Sequence, residues 1–301
     1  MVKFVDKGSA HTIRVMHLIH ELGAGGAENG IINLANHIDT ERFEISVCSL
    51  AGEGARAKHL QQGIEHFVMH KRQGNDIALP FRLRSLFRSW RPDIVHTHAW
   101  GTMFEGLIGG KLARVPVLIH GEHGTIEQKS RNRWIQKRLW RVFDAVLSIS
   151  ELHKQELCRV IGFPEDRITV LTNGVDTAYF RPMTAVDALG LRGRFVVGTV
   201  GRFVPVKNQA LLLRAVAEAL QSCPDMTLVL VGQGPLENEL RGLAQELGIA
   251  EHTVFAGKRF DIPEVLNSLD LFVLPSKSEG MSNTILEAMS CQLPVVATDV
   301  G

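Results

Sequence analysis

The sequence predicts an α/β protein made of two successive Rossmann-like, doubly wound units with a cleft between them. Three observations support this prediction. Short runs of β-branched residues alternate with longer amphipathic stretches, several of these runs are apolar throughout, and the alternation pauses once before it resumes. Apolar runs such as residues 117–119 and 145–149 are typical of parallel strands buried on both faces. Alternating strands and helices of this kind are characteristic of doubly wound sheets.

The first unit, residues 1–180, shows strand patterns separated by helical ones. The predicted strands are residues 14–19, 43–49, 64–69, 93–97, 116–120, 144–149 and 168–171. Apolar residues at helical spacing predict helices at residues 27–38, 77–90, 102–112 and 151–161. This order predicts a parallel sheet covered by helices.

The pattern pauses at residues 173–194, which predicts a hinge. This stretch contains Asn-Gly, Arg-Pro and several glycines without clear periodicity, as is usual where a chain passes between domains. We therefore expect the first unit to end at residue 180.

The second unit, residues 181–301, repeats the alternation. Strands are predicted at residues 195–200, 227–231, 254–256, 271–274 and 295–298, and helices at residues 208–221, 236–247, 262–269 and 281–290. Residues 299–301 form the turn that would lead into a further helix. An edge strand without that helix exposes one face, so we expect a fragment of a longer protein, with the second unit incomplete.

The composition excludes several classes of protein. With 45% hydrophobic and 22% charged residues, the chain is globular rather than disordered. A formal net charge of +1 argues against a nucleic-acid-binding protein, which normally has a strong basic excess. The four cysteines form no C-x-x-C pair and are expected to be free thiols in a reducing cytosol. We therefore expect a cytoplasmic protein.

The near-zero net charge of the chain is the sum of a basic first unit and a mildly acidic second unit. Residues 129–141 combine six Lys and Arg with Trp134 and Trp140, and residues 81–91 interleave arginines with apolar residues. One interpretation is two surface helices with solvated basic faces. The other is electrostatic docking to an anionic acceptor or to anionic lipid at the inner face of the plasma membrane.

A glycine-rich loop, residues 23–28, follows the first strand and opens a helix. Its spacing, Gly23, Gly25 and Gly26, is not G-x-G-x-x-G, and no acidic residue ends the second strand. A dinucleotide site is therefore disfavoured. A tight turn and a loop that approaches a ligand closely both remain open.

Histidines end two neighbouring strands of the first unit: His96 and His98 close one, and His120 and His123 close the next. The carboxyl ends of strands line the ligand crevice of open α/β sheets. H-x-H and H-x-x-H resemble metal spacings, but no Asp or Cys completes a clear set, so we expect no metal. A hydrogen bond to a polar substrate and a structural role remain open, with His123 the best candidate for the former.

Two loops of the second unit carry further candidates. Arg202, after Gly201, and Lys207 bracket a loop that leads into a helix, which suits a pyrophosphate or, alternatively, two solvated cations. Residues 275–287 follow a strand and contain two carboxylates, with Glu279 expected in the loop and Glu287 inside the helix. Ser282, Asn283 and Thr284 would present helix N-terminal amides to a phosphate; a cap alone would explain Ser282 and Asn283 but not both glutamates.

In combination, these motifs resemble the retaining nucleotide-sugar glycosyltransferases of family 4, which have the GT-B fold. The matching segments follow the family's order: residues 25–28 (G-G-A-E), 92–98 (P-D-I-V-H-T-H), 173–176 (N-G-V-D), 201–202 with 207–208, 230–235 (L-V-G-Q-G-P), 254–257 (V-F-A-G) and the E-x7-E pair Glu279 and Glu287. Less specifically, residues 120–124 and the basic helix resemble sugar transferases of exopolysaccharide systems.

The resemblance implies a role for each matched residue. Arg202 and Lys207 would stabilise the diphosphate, Glu287 would hold the ribose, and Glu279 would contact the hydroxyls of the donor sugar. His123 would lie near the transferred sugar and the acceptor hydroxyl. Further implied donor contacts are Gly26, Gly201, Arg259, Phe260, Met281, Ser282, Asn283 and Thr284, and the acceptor side would include Gly25 and His98.

The resemblance also implies the reaction. A UDP- or GDP-sugar would donate its sugar to a glycan or lipid-linked acceptor with retention, without a cofactor or a metal, which fits the lack of a D-x-D motif. The family's chain continues past residue 301. Two alternatives remain open: a nucleotide-sugar 2-epimerase of the same fold, and an inactive nucleotide-binding fragment.

Overall fold

The computed structural model describes residues 12–23, 25–74, 76–123, 129–184 and 186–300. Within it the chain divides into two compact units, residues 1–173 and 174–301, each with its own parallel sheet. Gly124 of the H-G-E-H-G segment and Gly301, where the sequence stops before the expected helix, lie outside the described residues.

The first unit contains a seven-stranded parallel sheet with the order β3-β2-β1-β4-β5-β6-β7. Its strands are β1 (Ile13–Ile19), β2 (Phe43–Ser49), β3 (Glu65–Val68), β4 (Ile94–His98), β5 (Val117–Glu122), β6 (Ala145–Ser148) and β7 (Ile168–Val170). The strand order reverses between β1 and β4. In open α/β sheets, ligands bind beyond the carboxyl ends of the strands at such a reversal.

In the described part of this unit, five α-helices accompany the sheet: α1 (Gly26–His37), α2 (Leu79–Trp90), α3 (Trp100–Ala113), α4 (Ser130–Trp140) and α5 (Glu151–Ile161). The central strands are largely buried because their apolar side chains pack under these helices. Helix α3 lies directly on the sheet, since a methyl group at Gly106 would overlap the Thr97 and Leu18 side chains. This close packing holds the β4–α3 connection at the reversal.

The second unit contains a five-stranded parallel sheet with the order β10-β9-β8-β11-β12. Its strands are β8 (Phe195–Val200), β9 (Met226–Val231), β10 (Thr253–Gly257), β11 (Leu271–Leu274) and β12 (Val295–Ala297). The helices are α6 (Gln209–Ala219), α7 (Glu237–Glu246), α8 (Ile262–Leu266) and α9 (Asn283–Ser290). Here the reversal lies between β8 and β11, and two buried apolar clusters form the core.

The two units join seven residues earlier than the boundary expected after residue 180. Phe180 belongs to the core of the second unit, and the Ser290 hydroxyl donates a hydrogen bond to the Phe180 carbonyl. These contacts assign the segment before residue 180 to the second unit.

Helix boundaries show one difference that concerns the site. The helix predicted from residue 281 begins at Asn283, so Met281 and Ser282 belong to the loop after β11. Among the described residues, the helices are too short or too polar to cross a lipid bilayer.

Candidate functional site

The reversal in the first sheet brings four histidines together. In the strand register, His17 of β1 pairs with His96 of β4, and His98 pairs with Gly121 of β5. Side chains of a strand alternate between the two faces of the sheet, so His96 and His98 share one face. His123 follows the end of β5 directly.

Three of these rings form a hydrogen-bonded series, which we name the histidine chain: His17, His98 and His123. The His17 Nδ1 and His98 Nε2 atoms are 2.9 Å apart, and the His98 Nδ1 and His123 Nε2 atoms are 2.8 Å apart. The ring of His96 packs beside the chain, with its centroid 4.0 Å from that of His98. The series therefore leads from the buried strand β1 to the loop after β5.

Burial keeps the histidine chain neutral. It lowers the pKa of His17 to about 4, with a smaller contribution from a positive charge on His123. Burial also lowers the pKa of His123 to about 4, although the nearby Glu122 carboxylate acts in the opposite direction. The pKa of His98 falls well below its ordinary value because burial removes the ring from water and other histidines lie close to it. Near pH 7 these groups can donate and accept hydrogen bonds but carry no charge.

The opposite face of the sheet holds a second, separate network. The Thr97 Oγ1 and His120 Nδ1 atoms are 2.8 Å apart, and the His120 Nε2 and Glu122 Oε1 atoms are 2.9 Å apart. Gln136 of α4 donates from Nε2 to the same Glu122 oxygen at 2.6 Å. Both ring nitrogens of His120 therefore have partners inside the protein. Of the open interpretations of His120, the structure favours the structural one.

The glycine-rich loop leads directly into α1. Gly25 is the N-cap residue of this helix, and Gly26 is its first residue. The Glu28 carboxylate folds back against Gly25, into the space that a side chain at position 25 would occupy. A carboxylate in the first turn of a helix is favoured by the helix dipole. The loop therefore places two residues without side chains, Gly25 and Gly26, where the chain passes from the carboxyl end of β1 into helix α1.

In the second unit, the loops after β8 and β11 are joined at the reversal. Lys207 donates from Nζ to Glu279 Oε1 at 2.6 Å, and both side chains are mostly buried. Asn208 donates to the Pro275 carbonyl, and the Lys277 amide donates to the Val206 carbonyl. Two backbone-linked loops thus hold one ion pair at the carboxyl edge of the sheet.

Arg202 lies in the first of these loops, directly after Gly201. Its guanidinium is exposed, while its carbonyl accepts a hydrogen bond from Gln209 Nε2 at 2.9 Å. The backbone at Arg202 is therefore fixed to the start of α6, and the side chain faces solvent. The ion pair and this guanidinium contribute two cations and one carboxylate to the described loop region, which also contains the exposed Lys277.

The E-x7-E element is divided between loop and helix, as predicted: Glu279 lies in the loop and Glu287 lies within α9. Ser282 is the N-cap residue of α9, but its side chain makes no capping hydrogen bond and instead contacts the Thr284 hydroxyl at 3.0 Å. Asn283 is the first residue of the helix. The structure thus places Glu279 against Lys207, places Ser282 and Asn283 at the N-terminus of α9, and places Glu287 in the second half of that helix.

Arg259 and Phe260 follow β10. Arg259 donates from Nε to Asp261 Oδ1 at 2.8 Å and from Nη2 to the Ala188 carbonyl at 3.2 Å. The hydrogen bond to Asp261 raises the pKa of Arg259 and lowers that of the carboxyl group. Phe260 is 62% exposed, and the Lys258 ammonium lies 5.0 Å from its ring centroid. An exposed aromatic ring at a strand end is suited to stacking against a planar group.

His17 is the site residue that sequence reasoning missed. Its position in the first apolar run shows only that the run is interrupted, since nothing in the sequence states that β1 and β4 are neighbours. The ligand nitrogens of His17, His96 and His98 lie within 4.8 Å of one another, so these residues could hold a metal ion. The expectation that no metal is bound stays a prediction.

The comparisons with known proteins agree with this architecture. Residues 24–179 match the family described as Glycosyltransferase Family 4, and residues 194–301 match Glycosyl transferases group 1. A solved structure, Anabaena Alr3699/HepE in complex with UDP, superposes with a TM-score of 0.81 at 25% identity, covering 96% of this chain and 81% of that one. The predicted fold class, two Rossmann-like units as in GT-B enzymes, is confirmed.

The names of two relatives indicate the activity of the family. The UDP-Gal:alpha-D-GlcNAc-diphosphoundecaprenol alpha-1,3-galactosyltransferase of Escherichia coli is 31% identical over 286 residues, covering 88% of this chain and 73% of that enzyme. A GDP-mannose-dependent alpha-(1-6)-phosphatidylinositol monomannoside mannosyltransferase of Mycolicibacterium smegmatis is 31% identical over 202 residues, covering 62% and 53%. Both are transferases, so the epimerase alternative is not favoured. The chain belongs to glycosyltransferase family 4.

Proposed function

We propose that this protein is a retaining glycosyltransferase that moves a sugar from a UDP- or GDP-sugar to a glycan or lipid-linked acceptor in polysaccharide biosynthesis. The proposal rests on one observation at the reversal of the second sheet. Lys207 forms an ion pair with Glu279, and the loop that contains Arg202 and Lys207 is fixed to the start of α6. The relatives support the donor class, since one name contains UDP-Gal and another GDP-mannose.

The charges suit a diphosphate leaving group. As the bond between the anomeric carbon and the diphosphate oxygen breaks, negative charge grows on that oxygen. Preorganised cations lower the barrier, by roughly 2–4 kcal/mol for each such group. Arg202 offers a planar fork and Lys207 a point charge. The proposed reaction needs no metal ion, because these two side chains supply the positive charge.

Retention follows from attack on the face that the diphosphate leaves. The acceptor oxygen forms the new bond to the anomeric carbon on that face, and its proton passes to the departing phosphate oxygen. No protein nucleophile takes part in this step. Glu279 contributes by orienting Lys207 and by accepting hydrogen bonds from the hydroxyls of the donor sugar.

The remaining site residues are proposed to bind the donor and the acceptor. Glu287 holds the ribose, the backbone of residues 281–284 binds the sugar and phosphate, and Arg259 with Phe260 borders the base. In the first unit, Gly26 permits close approach of the diphosphate, and His123 hydrogen-bonds a sugar hydroxyl. Gly25 and His98 belong to the acceptor side, where His98 acts through its hydrogen bond to His123.

We also propose that α4 docks on anionic lipid at the cytoplasmic face of the membrane. Trp134 is 59% exposed on this helix, and the Arg138 guanidinium lies 4.7 Å from its ring centroid. Arg131 and Arg138 are exposed as well. Basic residues beside an exposed tryptophan are typical of helices that lie in a membrane interface.

A transfer assay tests the proposed function. The full chain would be given UDP-galactose, UDP-glucose or GDP-mannose together with GlcNAc-diphosphoundecaprenol, and the anomeric configuration of the product would be determined by NMR. We expect transfer with retained configuration from one of these donors. An inverted product contradicts the retaining mechanism. UDP binding by calorimetry without transfer in any acceptor mixture favours the inactive nucleotide-binding fragment.

A further inference from the structure

The histidine chain has a direction that its hydrogen bonds alone do not reveal. A neutral imidazole carries one N–H and one lone pair, so each ring in a series must donate on one side and accept on the other. His17, His98 and His123 can satisfy this rule in two ways, with all the protons pointing toward β1 or all pointing toward the loop after β5. The two arrangements leave different groups at the two ends.

The buried end decides between them. His17 Nε2 is buried and has no hydrogen-bond partner among the described residues. If the protons point toward β1, His17 Nε2 carries an N–H group that is shielded from water and has no acceptor among the described residues. If they point toward the loop, it carries only a lone pair. Buried N–H groups without a partner are rarer in proteins than under-satisfied acceptors, so the second arrangement is favoured.

We propose that His17 and His98 are positioning residues that fix His123 as a hydrogen-bond donor to a sugar hydroxyl. His17 Nδ1–H donates to His98 Nε2, His98 Nδ1–H donates to His123 Nε2, and His123 uses its Nδ1–H as the donor to the ligand. This inference rests on the proposed function for the nature of the ligand, but the direction of the chain does not.

The arrangement has a chemical consequence for the transfer step. A His123 ring with a proton on Nδ1 donates a hydrogen bond there and cannot accept the proton of the acceptor hydroxyl at that atom. Its other nitrogen is occupied by His98. His123 therefore orients a hydroxyl group, and the departing diphosphate takes the proton, as the retaining mechanism requires.

Gly121 makes the contact between His98 and His123 possible. A Cβ at this position would lie 2.9 Å from His96 Nε2, 3.4 Å from His123 Nε2 and 3.6 Å from His98 Nδ1. The missing side chain leaves the space in which the two rings approach. The strand register sets this position, because Gly121 lies directly beside His98 in the sheet.

The first test reads the tautomers directly and needs no activity. Long-range proton–nitrogen spectra of the full chain labelled with ¹⁵N-histidine distinguish neutral Nδ1–H from neutral Nε2–H rings; His98→Gln and His123→Gln variants provide the assignments. We expect the Nδ1–H tautomer for His98 and His123 at pH 7.5. An Nε2–H tautomer or a cationic ring at either position overturns the proposal. So does one equivalent of zinc bound through His17, His96 and His98.

The second test uses two variants of nearly equal size. His98→Asn can still donate to His123 Nε2, whereas His98→Asp offers only acceptors and would force the proton of His123 onto Nε2. We expect kcat of His98→Asn to exceed that of His98→Asp by tenfold or more, with similar donor KM values. Equal kcat values overturn the proposal. If the wild type transfers no sugar at all, the proposed function fails, and the tautomer spectra still decide the direction of the chain.

Discussion

The strand ends of the two units offer different chemistry at equivalent places in their sheets. Where the first sheet reverses, buried imidazoles with lowered pKa values form the histidine chain. Where the second sheet reverses, Lys207 and Glu279 form an ion pair beside the exposed Arg202. Neutral donors are suited to hydroxyl groups and cations to a diphosphate, so the same type of fold supports two kinds of recognition.

The largest effect is expected from removing a cation of the second unit. We expect Lys207→Ala and Arg202→Ala each to lower kcat/KM for the donor by at least tenfold and up to about a thousandfold, since each cation is proposed to stabilise the leaving group. Steady-state kinetics with varied nucleotide sugar measure this. Arg214→Ala, an exposed position on α6, is the matched control and should leave kcat/KM unchanged. If kcat/KM falls by no more than about twofold in both variants, Lys207 and Arg202 do not bind the diphosphate.

In the first unit, Gly121→Ala should disturb the histidine chain through steric overlap, without any change of charge. The added methyl group would press on the His96, His98 and His123 rings, and overpacking of this kind costs about 1–3 kcal/mol. Chemical denaturation measures the loss of unfolding free energy. Gly30→Ala in α1 is the control, because a Cβ there meets no atom within 4 Å. A Gly121→Ala protein as stable as Gly30→Ala would mean that the rings do not need this space.

The buried histidines should make the first unit sensitive to acid. In the unfolded chain His17 binds a proton near its ordinary pKa of 6.5, whereas in the folded protein it stays neutral down to about 4. Between these values the unfolded state binds more protons, so stability that is complete above pH 6.5 is lost as the pH falls toward 4. From pH 7.5 to 5 we expect a loss of about 2 kcal/mol from His17.

Urea denaturation at pH 7.5 and pH 5 measures this dependence. His17→Gln should reduce this slope by the contribution of His17, while the lowered pKa values of His98 and His123 preserve the rest. An unchanged slope in the His17→Gln protein would show that His17 is accessible to protons in the folded state.

The smallest effect is expected at the membrane. Each basic residue near an anionic surface contributes about 1 kcal/mol at most, and salt screens it. We expect Arg131→Glu with Arg138→Glu to reduce binding to vesicles of anionic phospholipid severalfold at low salt, as measured by co-sedimentation. Arg181→Glu with Arg214→Glu changes the net charge equally on the second unit. Equal losses in the two proteins would point to overall charge rather than to α4.

Much of the fold could be predicted from the sequence, because parallel strands buried on both faces leave nearly continuous apolar runs. Strand β2 has the predicted bounds, 43–49, and β8 has the predicted bounds, 195–200. Helix ends were less accurate: α9 begins at Asn283 rather than residue 281, and α8 ends at Leu266 rather than residue 269. Such ends depend on which backbone groups find partners, and the periodicity of the sequence does not contain that information.

The site was predicted only where its residues lie together in the sequence. His96 and His98 share a strand, and the Glu279 and Glu287 pair shares a loop and helix. The contact between Lys207 and Glu279 joins residues 72 apart, and His17 meets His98 across 81 residues. These pairs depend on the strand order of each sheet, which the alternation of strands and helices does not determine.

Recognition of a diphosphate by the charged loops of the second unit is tested most directly by calorimetry. The full chain, as wild type and as Lys207→Ala, would be titrated with UDP, UMP and uridine. We expect the wild type to bind UDP at least tenfold more tightly than UMP, and Lys207→Ala to lose most of that preference while binding uridine as before. A Lys207→Ala protein that keeps the full preference for UDP would contradict the account.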